Sequence, residues 1–108
     1  MDITSSRTAD ALVVRPIGRI DETQWEAFRD ALTAALDEAA GAGLALLVDL
    51  GGVPYMSSRG LRVLTIARRE AGERSTAIAL ARPSPQMREI LAISRYDKIF
   101  EIRDTIQP

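Results

Sequence analysis

Two adjacent serines, Ser57 and Ser58, have the residue type and the position in this chain that best suit chemistry. An apolar run ends at Asp49, a Gly-Gly-Val-Pro turn follows, and the serines then open a segment with helical apolar spacing. The first N–H groups of a helix are free and its dipole is positive there, so a hydroxyl at this position lies where an anion is favoured. The pattern predicts a side-chain cap, a bound anion or a phosphate attached to one serine.

Composition restricts other kinds of chemistry, because the chain has no cysteine and no histidine. Disulfides, thiol nucleophiles, thiolate or imidazole zinc sites, serine–histidine hydrolases and histidine general bases are therefore excluded. These absences leave enzyme chemistry mainly to carboxylates and arginines. The acidic pair that a receiver domain has after its first strand is absent, which argues against Asp49 as a phospho-acceptor. Gly51-Gly52 is not followed by the glycine-lysine-serine/threonine ending of a phosphate-binding loop. We interpret Asp49 as structural, closing a strand and capping a turn.

The bulk numbers describe an ordinary globular protein, since 46% of the 108 residues are hydrophobic and 27% are charged. We expect a single domain over residues 1–108. The most apolar run, residues 44–48, is too short to span a membrane, and the chain does not start with a signal sequence. We therefore expect a cytoplasmic protein without membrane insertion, and a pI of about 5.4 argues against nucleic-acid binding.

The apolar spacing predicts an N-terminal β-hairpin followed by the order αβαβαβ. The predicted strands are residues 3–8, 11–17, 44–48, 76–80 and 99–102. Helices fill the three connections between the later strands. Such an order predicts an α/β fold with a mostly parallel central sheet packed by helices.

Local signals predict where these helices begin and end. Asp21 and Gln24 have the spacing of a capping box, so Asp21 is the predicted N-cap of the first helix. Trp25 and Phe28 fall on its apolar face, and we interpret both as core anchors. Gly41 and Gly43 are predicted to stop the first helix, and Gly72 the second. The third helix is predicted to begin at Ser84-Pro85, a cap followed by proline at the first helical position.

Basic residues are concentrated after the serine pair. Residues 1–57 hold four basic and nine acidic side chains, whereas residues 58–108 hold ten basic and six acidic ones. Four residues recur on a face of the second helix away from its apolar residues, and we name them the arginine stripe: Arg59, Arg62, Ile66 and Arg69. Arginines around one aliphatic side chain suit a protein interface, so the stripe is predicted to be either a partner-binding face or a solvated one.

The order of elements and two sequence blocks resemble a known family. The blocks are VDLGGVPYMSSRGLRVL at residues 48–64 and PQMREILAISRYDKIFEI at residues 85–102. Together they resemble a STAS domain, the fold of sulfate transporters and anti-sigma-factor antagonists, in its small stand-alone bacterial form. The resemblance covers nearly the whole chain and implies the same α/β fold that the apolar spacing predicts.

The resemblance also implies a phosphorylation site. In the family, the loop before the second helix usually reads aspartate-serine-serine-glycine-leucine, and its first serine accepts the phosphate. Gly60 and Leu61 match the last two positions, so the acceptor falls on Ser58. Ser57 then stands where the family has aspartate, and Arg59 where it has the second serine. The remaining members of the predicted phospho-site loop are Asp49, Ser57, Arg59 and Gly60.

In functional terms, the resemblance implies an anti-sigma-factor antagonist, a non-enzymatic protein without a cofactor or metal ion of its own. Such a protein binds a serine-kinase anti-sigma factor while Ser58 is free and releases it once Ser58 is phosphorylated. The ATP and magnesium would belong to the kinase, and a metal-dependent serine phosphatase would reset the switch. Two alternatives stay open: a constitutive STAS scaffold in a signalling or lipid-transport complex, with Ser58 only a helix cap, and a module that binds a small ligand or nucleotide.

Overall fold

A sheet of five strands and three helices make up the protein in the computed structural model, which describes residues 1–106. The strands are β1 (Asp2–Arg7), β2 (Ala11–Ile17), β3 (Ala45–Asp49), β4 (Ile78–Ala81) and β5 (Glu101–Arg103). The helices are α1 (Trp25–Ala42), α2 (Ser58–Glu73) and α3 (Pro85–Ile93), with a short 3₁₀ turn at Tyr96–Lys98. Within the described residues, no helix is both long enough and apolar enough to cross a membrane.

The strands lie side by side in chain order, β1-β2-β3-β4-β5. Strands β1 and β2 form the predicted antiparallel hairpin, and every later pairing is parallel, which confirms the predicted α/β fold. The register aligns Val14 with Val48 and Leu80 with Ile102. Because parallel crossovers are right-handed, this order sends all three helices to one face of the sheet.

The main core lies between the sheet and the three helices. Its buried side chains come from the strands, the helices and the segments between them, and they include Leu12, Ile20, Phe28, Leu32, Leu36, Leu46, Leu64, Leu80, Met87 and Leu91. A smaller buried cluster occupies the opposite face of the sheet: Ala11, Val13, Leu47, Ala79 and Ala81. Strand residues alternate between the two clusters, as the period of a strand requires. Truncating one of the leucines in the main core to alanine costs about 2–5 kcal/mol in proteins of this kind.

Helix α1 begins later than predicted, at Trp25, and its N-cap is Gln24, so the prediction of Asp21 as the N-cap is wrong. The Asp21 carboxylate accepts hydrogen bonds from the backbone N–H of Thr23 at 3.0 Å and from the Thr23 hydroxyl at 2.9 Å. These bonds lower the pKa of Asp21. An aspartate side chain can hydrogen-bond to nearby residues in a turn instead of capping a helix, and Asp21 does so here.

Glycine ends the first helix but not the second. Gly43 follows α1 in a left-handed conformation (φ 70°), as predicted for a helix stop, whereas the prediction for Gly41 is wrong because α1 continues through it to Ala42. The prediction for Gly72 is wrong, because α2 continues through this residue to Glu73. After α2, Ser75 adopts the left-handed conformation (φ 54°) that ends the helix. The N–H of Thr76 donates to the carbonyl of Ala71 in the last turn, at 2.8 Å.

Candidate functional site

The loop that carries the serine pair leaves the sheet at Asp49, whose carboxylate is only 2% exposed. Oδ1 accepts hydrogen bonds from the N–H of Gly51 at 2.9 Å and from Nε of Arg82 at 3.1 Å. Oδ2 accepts from Nη2 of Arg82 at 2.8 Å and from Nε of Arg15 at 3.1 Å. Asp49 therefore joins three strands, since Arg15 lies on β2 and Arg82 directly follows β4.

Burial raises the pKa of Asp49, but the hydrogen bonds and charges around it act in the opposite direction. The hydrogen bond from Arg82 is the strongest of these, followed by the Gly51 N–H and the charges of Arg82 and Arg15. The net result is a pKa below the ordinary value for an aspartate, and the same contact raises the pKa of Arg82. The carboxylate is therefore ionised at neutral pH and serves as an anchor, with no proton to exchange.

Hydrogen bonds from two other segments hold the rest of the loop. The N–H of Ile20 donates to the Tyr55 carbonyl at 2.9 Å, and the N–H of Ser57 donates to the Ile20 carbonyl at 2.8 Å. On the other side, the hydroxyl of Ser84 donates to the Val53 carbonyl at 3.1 Å. The loop is thus fixed between the segment before α1 and the start of α3, so it presents the serines on a rigid frame.

The two serines occupy different environments. Ser57 is 7% exposed and is the N-cap of α2, where its Oγ accepts a hydrogen bond from the N–H of Gly60 at 3.4 Å. Ser58 is exposed and is the first residue of α2. The serine pair therefore divides into an inward cap and an outward hydroxyl, and only Ser58 presents its side chain to a reagent from solution.

Gly60 lets the first turn of α2 lie against the residues beneath it. A Cβ atom at this position would lie 2.5 Å from Cγ of Met56 and 3.0 Å from Cγ2 of Ile20. Carbon atoms do not approach this closely, so a larger residue would push the start of α2 away from the core. Packing alone therefore favours glycine at position 60, whether or not the neighbouring serine is phosphorylated.

Arg59, beside Ser58, contacts helix α1. Its Nε lies 3.2 Å from an Oε2 oxygen of Glu22, and its guanidinium lies 5.3 Å from the ring centre of Trp25. The guanidinium of Arg29 lies 5.2 Å from the same ring. Trp25 is half-buried and packs against the main core, but its ring also takes part in these surface contacts. The prediction of Trp25 as a core anchor therefore holds only in part, whereas Phe28 is fully buried.

The rest of the arginine stripe runs along α2. Arg62 and Arg69 are exposed, and among residues 1–106 neither has a carboxylate partner in an ion pair. The expectation that Ile66 is exposed is wrong, because its side chain is half-buried in the crevice between α1 and α2. Helix α1 packs closer to this side of α2 than the apolar spacing alone indicated.

A groove of about 480 Å³ lies between the two helices, next to the serine pair. Residues of both helices line it: Trp25, Arg29, Arg59, Arg62, Val63 and Ile66. We name it the α1–α2 groove. It contains three members of the arginine stripe but not Arg69. Trp25 and Arg29 line this groove but are not among the site residues predicted from the sequence.

The fold agrees with comparisons to known proteins. A family model described as the STAS domain matches residues 2–108. The chain belongs to the STAS domain family. A STAS-domain containing protein of Pseudomonas aeruginosa (strain UCBPP-PA14) is 36% identical over 104 residues, which are 94% of this chain and 99% of that protein. The predicted family is therefore confirmed.

Solved structures support the same assignment for this STAS domain. An anti-sigma-factor antagonist (STAS) domain protein from Planctomyces limnophilus is 26% identical, covers 97% of this chain and 91% of its own, and gives a TM-score of 0.83. The Bacillus cell fate determinant SpoIIAA in its phosphorylated form is 21% identical, covers 98% and 94%, and gives a TM-score of 0.70. The SpoIIAA likeness is one of fold.

The pairing of Asp49 with Arg82, which anchors the loop that carries the serines, has a signal in the sequence. Asp49 ends β3 and is aligned with Ala81 of β4, so Arg82 follows at the same edge of the sheet. Neighbouring parallel strands bring the residues at their carboxyl ends together, so an aspartate and an arginine at these positions are expected to pair.

Within residues 1–106, no three acidic side chains come together as a metal site would require.

Proposed function

We propose that this STAS domain is an anti-sigma-factor antagonist and that phosphorylation of Ser58 switches its binding to a serine-kinase anti-sigma factor. The observation that carries the proposal is the exposed hydroxyl of Ser58 at the first position of α2, beside a second serine that is already used as the buried cap. The name of the Planctomyces protein, an anti-sigma-factor antagonist (STAS) domain protein, supports it.

The start of α2 suits a phosphoserine physically. A phosphate at Ser58 would carry roughly −1.5 to −2 charges and three acceptor oxygens at the positive end of a helix of 16 residues. Since the side chain points to solvent, the fold need not change to accommodate it. The surface around it would change, because a doubly charged group facing an acidic partner across an interface costs several kcal/mol.

In this proposal the chain supplies the acceptor hydroxyl and the binding surface, and it catalyses nothing. The kinase brings ATP and magnesium, and a metal-dependent serine phosphatase removes the phosphate. The arginine stripe is the proposed partner-binding face, since Arg59 and Arg62 lie within one turn of Ser58 on the exposed side of α2. A protein with these partners is proposed to act in the cytoplasm.

The test is phosphate transfer by the protein's own candidate kinases. The intact chain is incubated with ATP and magnesium and each kinase, and any phosphate is located by mass spectrometry. Ser58→Ala is expected to abolish incorporation and to leave a permanently binding protein, whereas Ser57→Ala is expected to keep at least part of it. Phosphate on Ser57 alone would refute the site. A kinase that binds tightly without transferring phosphate would favour a constitutive scaffold.

A further inference from the structure

We infer that the α1–α2 groove is the site where this STAS domain binds an acidic segment of its partner, with one apolar side chain inserted between the two helices. The inference rests on the proposed function for the identity of the partner, and it adds the chemistry by which that partner is recognised. It also brings Trp25 and Arg29 of α1 into an interface that the sequence placed on α2 alone.

The floor of the groove is apolar. Trp25, Val63 and Ile66 line it, and Trp25 and Ile66 are each half-buried, with part of the side chain left at the surface. The Trp25 ring is held by the guanidinium groups of Arg29 and Arg59, at 5.2 and 5.3 Å from its centre. A large aromatic surface held in place before binding is typical of the residues that dominate protein interfaces. An aliphatic side chain of a partner fits such a floor.

The charges around the groove select the sign of the partner. Every polar residue that lines it is an arginine, namely Arg29, Arg59 and Arg62. Arg59 pairs with Glu22, and Arg29 pairs with Asp30 at 3.1 Å, but both ion pairs are exposed and therefore weak, so both arginines remain open to a partner's carboxylates. Arg62 lines the α1–α2 groove and has no ion-pair partner among residues 1–106. Carboxylates on either side of the inserted apolar residue would meet these guanidinium groups, whereas a basic segment would be repelled.

The position of Ser58 gives this choice of partner a functional consequence. Ser58 precedes Arg59 directly and lies one helical turn before Arg62, so a phosphate on its hydroxyl would be next to both. The phosphate would repel carboxylates of a bound acidic segment and would offer the same arginines a ligand within the chain. Phosphorylation would therefore release an acidic partner in two ways at once.

The single tryptophan of the chain makes the groove directly observable, because Trp25 is the only source of indole fluorescence. The probe is a synthetic helical peptide with one leucine flanked by glutamates, and it is titrated into the intact protein. A control peptide has glutamine in place of each glutamate. We expect the acidic peptide to change the Trp25 emission in a saturable way that weakens with added salt, and the glutamine peptide to bind more weakly.

Matched variants of α2 then locate the contact. Arg62→Gln removes the arginine without an ion pair from the lining, whereas Arg68→Gln removes an exposed arginine of the same helix that does not line the groove. We expect the Kd for the acidic peptide to rise about three- to ten-fold in the first and to stay within about two-fold in the second. Unfolding curves of both variants show whether the helix is intact.

The same two variants are compared in their binding to the partner kinase, and Arg62→Gln is again expected to bind more weakly than Arg68→Gln. Equal binding of the acidic and glutamine peptides, or equal effects of the two substitutions, would overturn the groove assignment. These results are separable from the phosphorylation test. Phosphate on Ser58 with no selective peptide binding refutes the groove alone, and peptide binding without any phosphate transfer refutes the switch alone.

Discussion

Arg82 binds Asp49 through two parallel hydrogen bonds, from Nε to Oδ1 at 3.1 Å and from Nη2 to Oδ2 at 2.8 Å. Arg82 adopts a left-handed backbone conformation (φ 49°), and its N–H donates to the Arg103 carbonyl at 2.8 Å. The left-handed conformation is strained for a residue other than glycine, so it persists only where surrounding contacts hold the residue in place. The pair therefore ties the ends of β3, β4 and β5 together beneath the loop that carries Ser58.

The first prediction concerns this anchor. Asp49→Asn is expected to destabilise the protein by about 2–3 kcal/mol, because Arg15 and Arg82 would lose the buried carboxylate that they share. Urea unfolding measures the change. The matched control is Asp37→Asn, which breaks an exposed ion pair with Arg74 and is expected to cost less than about 0.5 kcal/mol. Equal effects of the two substitutions would contradict the anchoring role of Asp49.

The second prediction concerns acid stability. The pKa of Asp49 is lowered in the folded protein, so the unfolded chain binds a proton at a higher pH than the folded one does. The stability that Asp49 contributes is fully present above the ordinary aspartate pKa of about 4, and it is lost as the pH falls through the lower, folded value.

The difference in unfolding free energy between wild type and Asp49→Asn is therefore expected to stay constant from about pH 7 to pH 5 and to shrink below about pH 4. Urea unfolding at a series of pH values measures this difference. A gap that widens on acidification would show that the sign of the pKa shift is wrong.

The third prediction separates the roles of the two serines by stability. Ser57→Ala removes the hydroxyl that caps α2 and is expected to cost about 1 kcal/mol, while Ser58→Ala is expected to change stability by less than about 0.5 kcal/mol. Ser57→Asp is expected to restore most of the loss, because aspartate is an equally good cap and adds negative charge at the helix start. Thermal unfolding compares the three variants. A larger loss in Ser58→Ala than in Ser57→Ala would reverse the assignment of the cap.

The fourth prediction uses two glycines of the same helix. Gly60→Ala is expected to destabilise the protein by about 1–3 kcal/mol, because its new Cβ would overlap Met56 and Ile20. At Gly72 a Cβ atom meets nothing within 4 Å, so Gly72→Ala is expected to stabilise α2 by about 0.5–1 kcal/mol. Chemical denaturation of the two variants gives opposite shifts in the midpoint. Shifts of the same sign would mean that helix propensity, and not packing, governs position 60.

Patterns confined to a few residues predicted much of this fold. The apolar runs located the strands, and Ser84 caps α3 through a hydrogen bond from the Met87 N–H at 3.2 Å, as its position before a proline indicated. Local competition explains where such patterns failed. Asp21 has capping-box spacing, but its carboxylate accepts hydrogen bonds from the N–H and hydroxyl of the nearby Thr23 instead of capping the helix.

The site was less predictable because its contacts join distant parts of the chain. Nothing near Trp25 in sequence shows that Arg59 of another helix lies against its ring, so an apolar position on a helix was interpreted as core. Likewise, the spacing within α2 placed Ile66 away from the apolar residues, but it carries no information on where α1 packs. Periodicity describes the faces of one helix, and only the packing of a second helix decides which faces are covered.

The sheet takes its strands in the order in which the chain runs, from β1 to β5. No strand has to wait for a distant one to be inserted beside it. A ribosome releases the N-terminal hairpin first, which offers β2 as the edge for β3, and β3 then offers an edge for β4. The sheet can therefore widen from one side while the chain is still being made, with each crossover helix covering the strands as they are added.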